Sequence, residues 1–319
     1  MTPKPPSKVE RDGTARARGP HIRSRRAVAI IGVVFLVLGI AYLAASAYIL
    51  REATTAHRQP IVGTPADVQL AYEEVSFPSV GDHITLRGWL MPGSTSKALV
   101  MVHGLDVNRW QREGDFPALT KRYVDAGFNV LTFDLRGHGE SDTGPLGLGW
   151  YERQDVEGAV AYLEQRGFRP GAIGIEGFSY GAATTLLASA ELPDVGATVA
   201  DSPFADAREL LNQEIARRGL PTIFTPGVAL LAGPIDGLDF DKIPPLVAVP
   251  HIAPRPLMLI HGEADSRIPY ENSVRLKAAS RGPADELWLV PGAEHTREFV
   301  KTPDEYASRV IGFFTRYLN

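Results

Sequence analysis

The chain contains no cysteine, which excludes both a disulfide framework and a thiolate metal site and removes thiol usage as a guide to compartment. It has no HExxH zinc motif and no Walker phosphate loop, and Gly137-His138-Gly139 is only a fragment of a Rossmann fingerprint. Neither a metal nor a nucleotide cofactor is therefore expected. Excess positive charge is absent outside the first 26 residues, which hold eight basic and two acidic side chains. The remainder has 25 basic against 35 acidic side chains, a balance of −10. An acidic body binds a phosphate backbone poorly, so nucleic acid is not an expected partner. No internal repeat is found. What remains, 319 residues at 44% hydrophobic and 22% charged, is the composition of a folded protein with room for a large core.

Charge of either sign is also missing from Ala27 to Leu50. At 1.5 Å of rise per residue this run is long enough to cross a hydrocarbon layer of about 30 Å. Lys4, Lys8, Arg11, Arg16, Arg18, Arg23, Arg25 and Arg26 precede it, and the positive-inside rule puts such a segment in the cytoplasm, with everything after the span outside. Residues 1–26, rich in Pro, Gly and Arg without apolar periodicity, read as a disordered basic tail. The expected arrangement is a tail (1–26), a transmembrane anchor (27–50), a linker (51–70) and a folded domain (71–319) outside the cytoplasm. A competing reading is export followed by signal cleavage, for which Ala45-Ser46-Ala47 offers small residues and Ser24-Arg25-Arg26 a twin-arginine pair. The run exceeds the 7–15 residues of a signal h-region, which favours the anchor.

Beyond the linker, apolar strand-like runs alternate with amphipathic helical ones, the pattern of an α/β fold with a largely parallel sheet. Residues 72–77 and 83–91 suggest an opening antiparallel pair. Six further strands are expected at 98–104, 129–137, 172–177, 197–202, 256–262 and 286–292, with helices at 116–126, 150–166, 180–190, 270–280 and 303–318. One connection, residues 203–254, is too long for a simple loop and is expected to form a lid.

The stretch GIEGFSYGAATTLLASA (174–190) places Ser179 between Gly177 and Gly181 at a strand-to-helix junction. Gly-x-Ser-x-Gly in that context is a nucleophile elbow: the turn brings backbones together, so residues without a Cβ flank the serine. A serine hydroxyl is a weak nucleophile until a base, oriented by a carboxylate, takes its proton. Asp265, in HGEADSRIP, and His295, in VPGAEHTREF, each follow a predicted strand. Active sites of open α/β sheets gather at such carboxyl ends. Asp201 also follows a strand and is the rival for the acid. His138, in the glycine turn of RGHGES, is a candidate second base, and His103 is expected to shape its loop rather than to bind a metal.

With GFSYG, MVHG (101–104), FDLRGHGES (133–141) and HGEADSRIP (261–269) in this order, the region 71–319 resembles a serine hydrolase of the α/β-hydrolase superfamily, in the branch of monoacylglycerol lipases, esterases and serine aminopeptidases. The resemblance implies an eight-stranded, mostly parallel sheet with a short lid, and the order Ser179, Asp265, His295 is that of the superfamily's triads. It also implies an oxyanion hole from the backbone N–H groups of Leu105 and Tyr180, although His103-Gly104-Leu105-Asp106 departs from the lipase HGGG motif. The expected substrate is a small-molecule or lipid carboxylic ester, cleaved without a cofactor. Thioesterase and peptidase activities on the same fold are the alternatives, and a non-catalytic binding module is the alternative of another class. In the lid, Leu210, Leu211, Ile215, Leu220, Ile223, Phe224, Val228, Leu230 and Leu231 form an apolar set too large for a solvated loop. Either it packs on the hydrolase core or part of it lines an acyl pocket.

Overall fold

The computed structural model describes residues 1–3, 21–240 and 242–319; most of the expected disordered tail lies outside the described residues. The chain divides into two units, Met1–Ala44 and Ala45–Asn319. Helix α1 (His21–Ala53) starts before the predicted Ala27 and runs past the predicted Leu50. The cause is local: residues 21–26 and 51–53 contain no Pro or Gly, and Arg, Glu and Ala are good helix formers. Among the described residues α1 is the one helix long and apolar enough to cross a membrane. In the first unit its large apolar side chains, from Val28 to Leu43, are exposed.

The second unit follows the expected alternation. In chain order it contains strands β1 (Glu73–Pro78), β2 (Thr85–Met91) and β3 (Ala98–Val102), helix α2 (Phe116–Asp125), β4 (Asn129–Phe133), α3 (Arg153–Gln165), β5 (Ile173–Phe178), α4 (Tyr180–Glu191) and β6 (Val195–Asp201). Helices α5 (Ala207–Arg217), α6 (Thr225–Asp236) and α7 (Pro245–Ala248) precede β7 (Leu257–Gly262), α8 (Glu271–Ala279), β8 (Glu286–Val290), α9 (Glu298–Lys301) and α10 (Pro303–Tyr317). Among the described residues the strands form one eight-stranded sheet, ordered β1-β2-β4-β3-β5-β6-β7-β8. Only β2 runs against its neighbours β1 and β4; the other pairings are parallel. This is the α/β-hydrolase fold.

Parallel strands need crossover helices, and these cover both faces of the sheet. Alternation along β3 shows it: Val100 and Val102 point into a core shared with Leu163 of α3 and Leu187 of α4, whereas Leu99 and Met101 point into one shared with Leu119 of α2 and Phe314 of α10. Strands β3, β5 and β7 are buried along their whole length as a result. The last turns of α1 belong to this unit, where Ser46, Ile49 and Leu50 are buried and the latter two join the first core.

Helices α5 to α7 form the expected lid between β6 and β7. Its apolar set divides. Leu211, Ile215 and Val228 are buried, Leu210, Phe224 and Leu231 pack against the core, and Leu220, Ile223 and Leu230 are exposed.

Candidate active site

Strand β5 ends at Phe178 and α4 starts at Tyr180, which leaves Ser179 alone to turn the chain. It does so at φ 55°, ψ −116°, outside the regions an L-residue ordinarily occupies. Its N–H donates to Asp201 O on β6 at 2.8 Å, which ties the strained residue to the sheet. The flanking glycines have a direct steric reason. A Cβ on Gly177 would stand 2.3 Å from Gly181 O, and one on Gly181 would stand 2.3 Å from His103 O.

Three carboxyl-end loops, after β5, β7 and β8, bring the expected side chains together. His295 Nε2 lies 2.7 Å from Ser179 Oγ, and His295 Nδ1 lies 2.6 Å from Asp265 Oδ2. An ionised carboxylate can only accept, so Nδ1 carries the proton and Nε2 is left to accept the serine's. Asp265 Oδ1 in turn accepts from the backbone N–H groups of Arg267 and Ile268 at 2.9 and 2.8 Å. Burial alone would raise the Asp265 pKa, but hydrogen bonds from His261 and His295 hold it well below the ordinary carboxylate value.

Asp201 has other partners. Its carboxylate accepts from Ser202 Oγ at 2.9 Å and from Tyr306 Oη at 2.8 Å. Burial, with Glu298 close by, pushes its pKa well above the ordinary value. It faces Ser202 and Tyr306 rather than the imidazole of His295.

The proposed oxyanion donors lie on two elements. Tyr180 is the first residue of α4, where an amide has no carbonyl a turn behind it. The loop's own hydrogen bonds leave the Leu105 N–H unused. Two neutral histidines hold that loop. His103 donates from Nδ1 to Gly104 O at 2.7 Å and accepts at Nε2 from Leu135 N–H at 3.0 Å. His138 donates from Nδ1 to Arg136 O at 2.9 Å and accepts at Nε2 from Asp106 N–H at 3.1 Å. Burial lowers both pKa values to about 4, so each keeps one donor and one acceptor nitrogen near neutral pH.

Sequence reasoning missed His261. At the end of β7 its Nε2 donates to Ile268 O at 2.8 Å and lies 3.2 Å from Asp265 Oδ2, while Nδ1 accepts from Ser273 Oγ at 2.7 Å. It braces the loop that carries Asp265. Its signal was an i, i+4 His/Asp pair astride the strand end, but the motif alone does not reveal what the imidazole touches. Among the described residues no group of three His, Asp or Glu side chains is placed to hold a metal ion.

Ser179 lines two cavities of opposite character, which also share Leu105 and Arg267. One is mainly apolar, with Ile49, Leu148, Phe204, Leu211, Ile215 and Ile268 in its wall. The other is polar and contains His295 together with Gln111, Glu113, Arg267, Glu294 and Arg297.

Comparison with known proteins agrees with this geometry at the level of the fold. The uncharacterized protein YqkD of Bacillus subtilis is 28% identical over 305 residues, 90% of this chain and 93% of its own. The thiohydrolase aneE of Aspergillus aculeatus is 30% identical over 63% of each chain. The structure of the Pyrococcus furiosus esterase Pf2001 superposes with a TM-score of 0.70 at 26% identity, covering 83% of this chain and all of that one. Residues 115–319 match the prolyl oligopeptidase family. With more than half of its length in that match, the chain belongs to the prolyl oligopeptidase family, on an α/β-hydrolase fold.

Proposed function

We propose that the protein hydrolyses carboxylic esters through an acyl-enzyme on Ser179. The observation that carries this reading is the row of hydrogen bonds from Ser179 Oγ through the His295 imidazole to Asp265. His295 Nε2 takes the hydroxyl proton as Oγ attacks the carbonyl carbon. Asp265 orients the ring and stabilises the imidazolium. The N–H groups of Leu105 and Tyr180 receive the charge that develops on the carbonyl oxygen, an interaction worth about 2.7–4 kcal/mol per donor in a serine protease. Collapse of the tetrahedral intermediate breaks the C–O bond, and the alcohol leaves with the proton from His295. Water, deprotonated by the same imidazole, attacks the acyl carbon; the bond from that carbon to Ser179 Oγ then breaks, the proton passes from His295 back to Oγ, and the acid is released. No cofactor enters these steps.

The structural likeness to an esterase supports the ester as substrate. The sequence likeness to a thiohydrolase supports a second reading, thioester cleavage by the same steps with a thiol leaving. The test is turnover of p-nitrophenyl esters and of acyl thioesters by the full-length protein. Ester turnover that disappears in Ser179→Ala is the expected result; turnover that survives the substitution contradicts it.

We further read α1 as a retained membrane anchor with the hydrolase domain outside the cytoplasm. Its length and exposed apolar surface support this, as does the position of the small-residue motif Ala45-Ser46-Ala47 inside a helix with Ser46 fully buried. Alkaline phosphatase fused at the C-terminus, active only after export, is expected to be active. A mature chain that starts at Tyr48 would establish signal cleavage instead.

A further inference from the structure

We propose that the last two turns of α1 and the start of the linker form one wall of the acyl-binding pocket, so that the helix read above as an anchor also determines which acyl chains the enzyme accepts. The inference rests on the reading of Ser179 as nucleophile and adds to it the orientation and class of the substrate.

The orientation follows from His295. The imidazole that protonates the leaving oxygen must stand beside it, so the leaving group occupies the side of Ser179 on which His295 lies. That side is the polar cavity, where Glu113, Arg267, Glu294 and Arg297 are available to a polar alcohol or thiol. The acyl group is left the other cavity, the mainly apolar one that Ser179 and Tyr180 line and His295 does not. The substrate is thus an amphiphile with an apolar acyl chain and a polar leaving group.

Two elements far apart in the sequence enclose the acyl side. The lid supplies Leu210, Leu211, Ile215 and Leu220, together with the charged Glu214, Arg217 and Arg218. Tyr48, Ile49, Glu52, Ala53 and Thr55 supply the other wall. Ile49 is buried, Glu52 and Ala53 are half-buried, and Arg51 between them is exposed, as expected of a helix that turns one face to a cavity. The wall is fastened to both the lid and the rim of the site. Thr54 Oγ1 donates to Asp236 Oδ2 at the end of α6 at 3.2 Å, and His57 N–H donates to Asp106 Oδ1, beside the Leu105 amide, at 2.8 Å. A change of side-chain size at Ile49 or Ala53 therefore changes the length of chain that fits.

The test uses the full-length protein in detergent or nanodiscs with p-nitrophenyl esters from acetate to dodecanoate, and with fluorophosphonate labelling as the measure of a competent Ser179. Full burial of a methylene is worth about 0.8 kcal/mol, close to a fourfold gain in kcat/KM, so wild-type kcat/KM is expected to climb with chain length to an optimum and then fall. Ala53→Phe fills the pocket and is expected to move the optimum at least two carbons shorter, with a loss of tenfold or more on chains beyond it. Ile49→Ala enlarges the pocket and is expected to move the optimum longer, which settles the matter if the phenylalanine variant does not fold. Arg51→Phe, the same bulk on the exposed face of the same turn, is expected to leave the optimum in place. A wild-type profile that is flat or falls from acetate, or an optimum unmoved by both pocket substitutions in enzyme that still labels, overturns the proposal while leaving the nucleophile standing. Wild-type protein that does not label at Ser179 removes the reading on which it rests.

Discussion

Asp201 and Asp265 begin from almost the same place. Each lies at or just beyond the carboxyl end of a parallel strand, and both are buried. Their surroundings then separate them. Asp265 is surrounded by donors, two backbone N–H groups and two imidazoles, and stays charged. Asp201 is surrounded by hydroxyls and lies near a second carboxyl, Glu298, and its charge is disfavoured. Position on the fold admits an acid to the neighbourhood of a catalytic base. The donors around it decide whether it can stabilise a cation there.

The comparison can be broken by substitution. The largest effect expected is that of Ser179→Ala, which removes the nucleophile and should lower kcat by about 10⁶-fold, the scale found for serine proteases, with the thermal melt unchanged. Next is Asp265→Asn. An amide there leaves His295 in the wrong tautomer, and the serine-protease precedent puts the loss in kcat at about 10⁴-fold. Asp201→Asn replaces a carboxyl whose charged form is already disfavoured, and kcat measured in parallel is expected to change by less than about tenfold. If Asp201→Asn proves the more damaging of the two, the acid has been assigned to the wrong strand.

A smaller effect sharpens the comparison through the loop histidines. Burial lowers the His138 pKa from 6.5 to about 4. Between those values the unfolded chain takes up a proton that the folded one refuses, so the contribution of His138 to stability is complete above pH 6.5 and is lost as pH falls toward 4. The stability gap between wild type and His138→Gln should therefore narrow by up to about 3 kcal/mol from pH 7 to pH 4. Denaturant unfolding at the two values measures it. Glu152 and Glu176, raised by burial to about 7, move the absolute curve in the opposite sense, so the gap between the two proteins is the quantity to read.

Most of this architecture can be read along the chain because it is local. Strand and helix periods, the glycines of the elbow and the loops that follow strands are each written in consecutive residues, and the observed sheet and helices follow them closely. Ser179, Asp265 and His295, which the fold brings within hydrogen-bonding distance of one another, could be named as candidates for the same reason: each belongs to a short motif at a strand end. Features that depend on packing were not. His261 stands in the HGEAD motif, yet nothing in the string shows that its imidazole reaches back to Asp265. The lid's apolar residues are evident as a set, but their division among core, cavity and solvent follows from how α5 and α6 lie on the sheet. The wall supplied by Ile49 and Ala53 is a contact between segments more than a hundred residues apart in sequence, of which neither segment carries a sign.

Peptide mapping of the full-length protein after reaction with a fluorophosphonate decides whether Ser179 is the nucleophile. One adduct per chain, on the peptide carrying Ser179 and absent from Ser179→Ala and strongly slowed in His295→Ala, is the predicted result. An adduct on another serine, such as Ser202, or undiminished labelling of Ser179→Ala would place the nucleophile elsewhere.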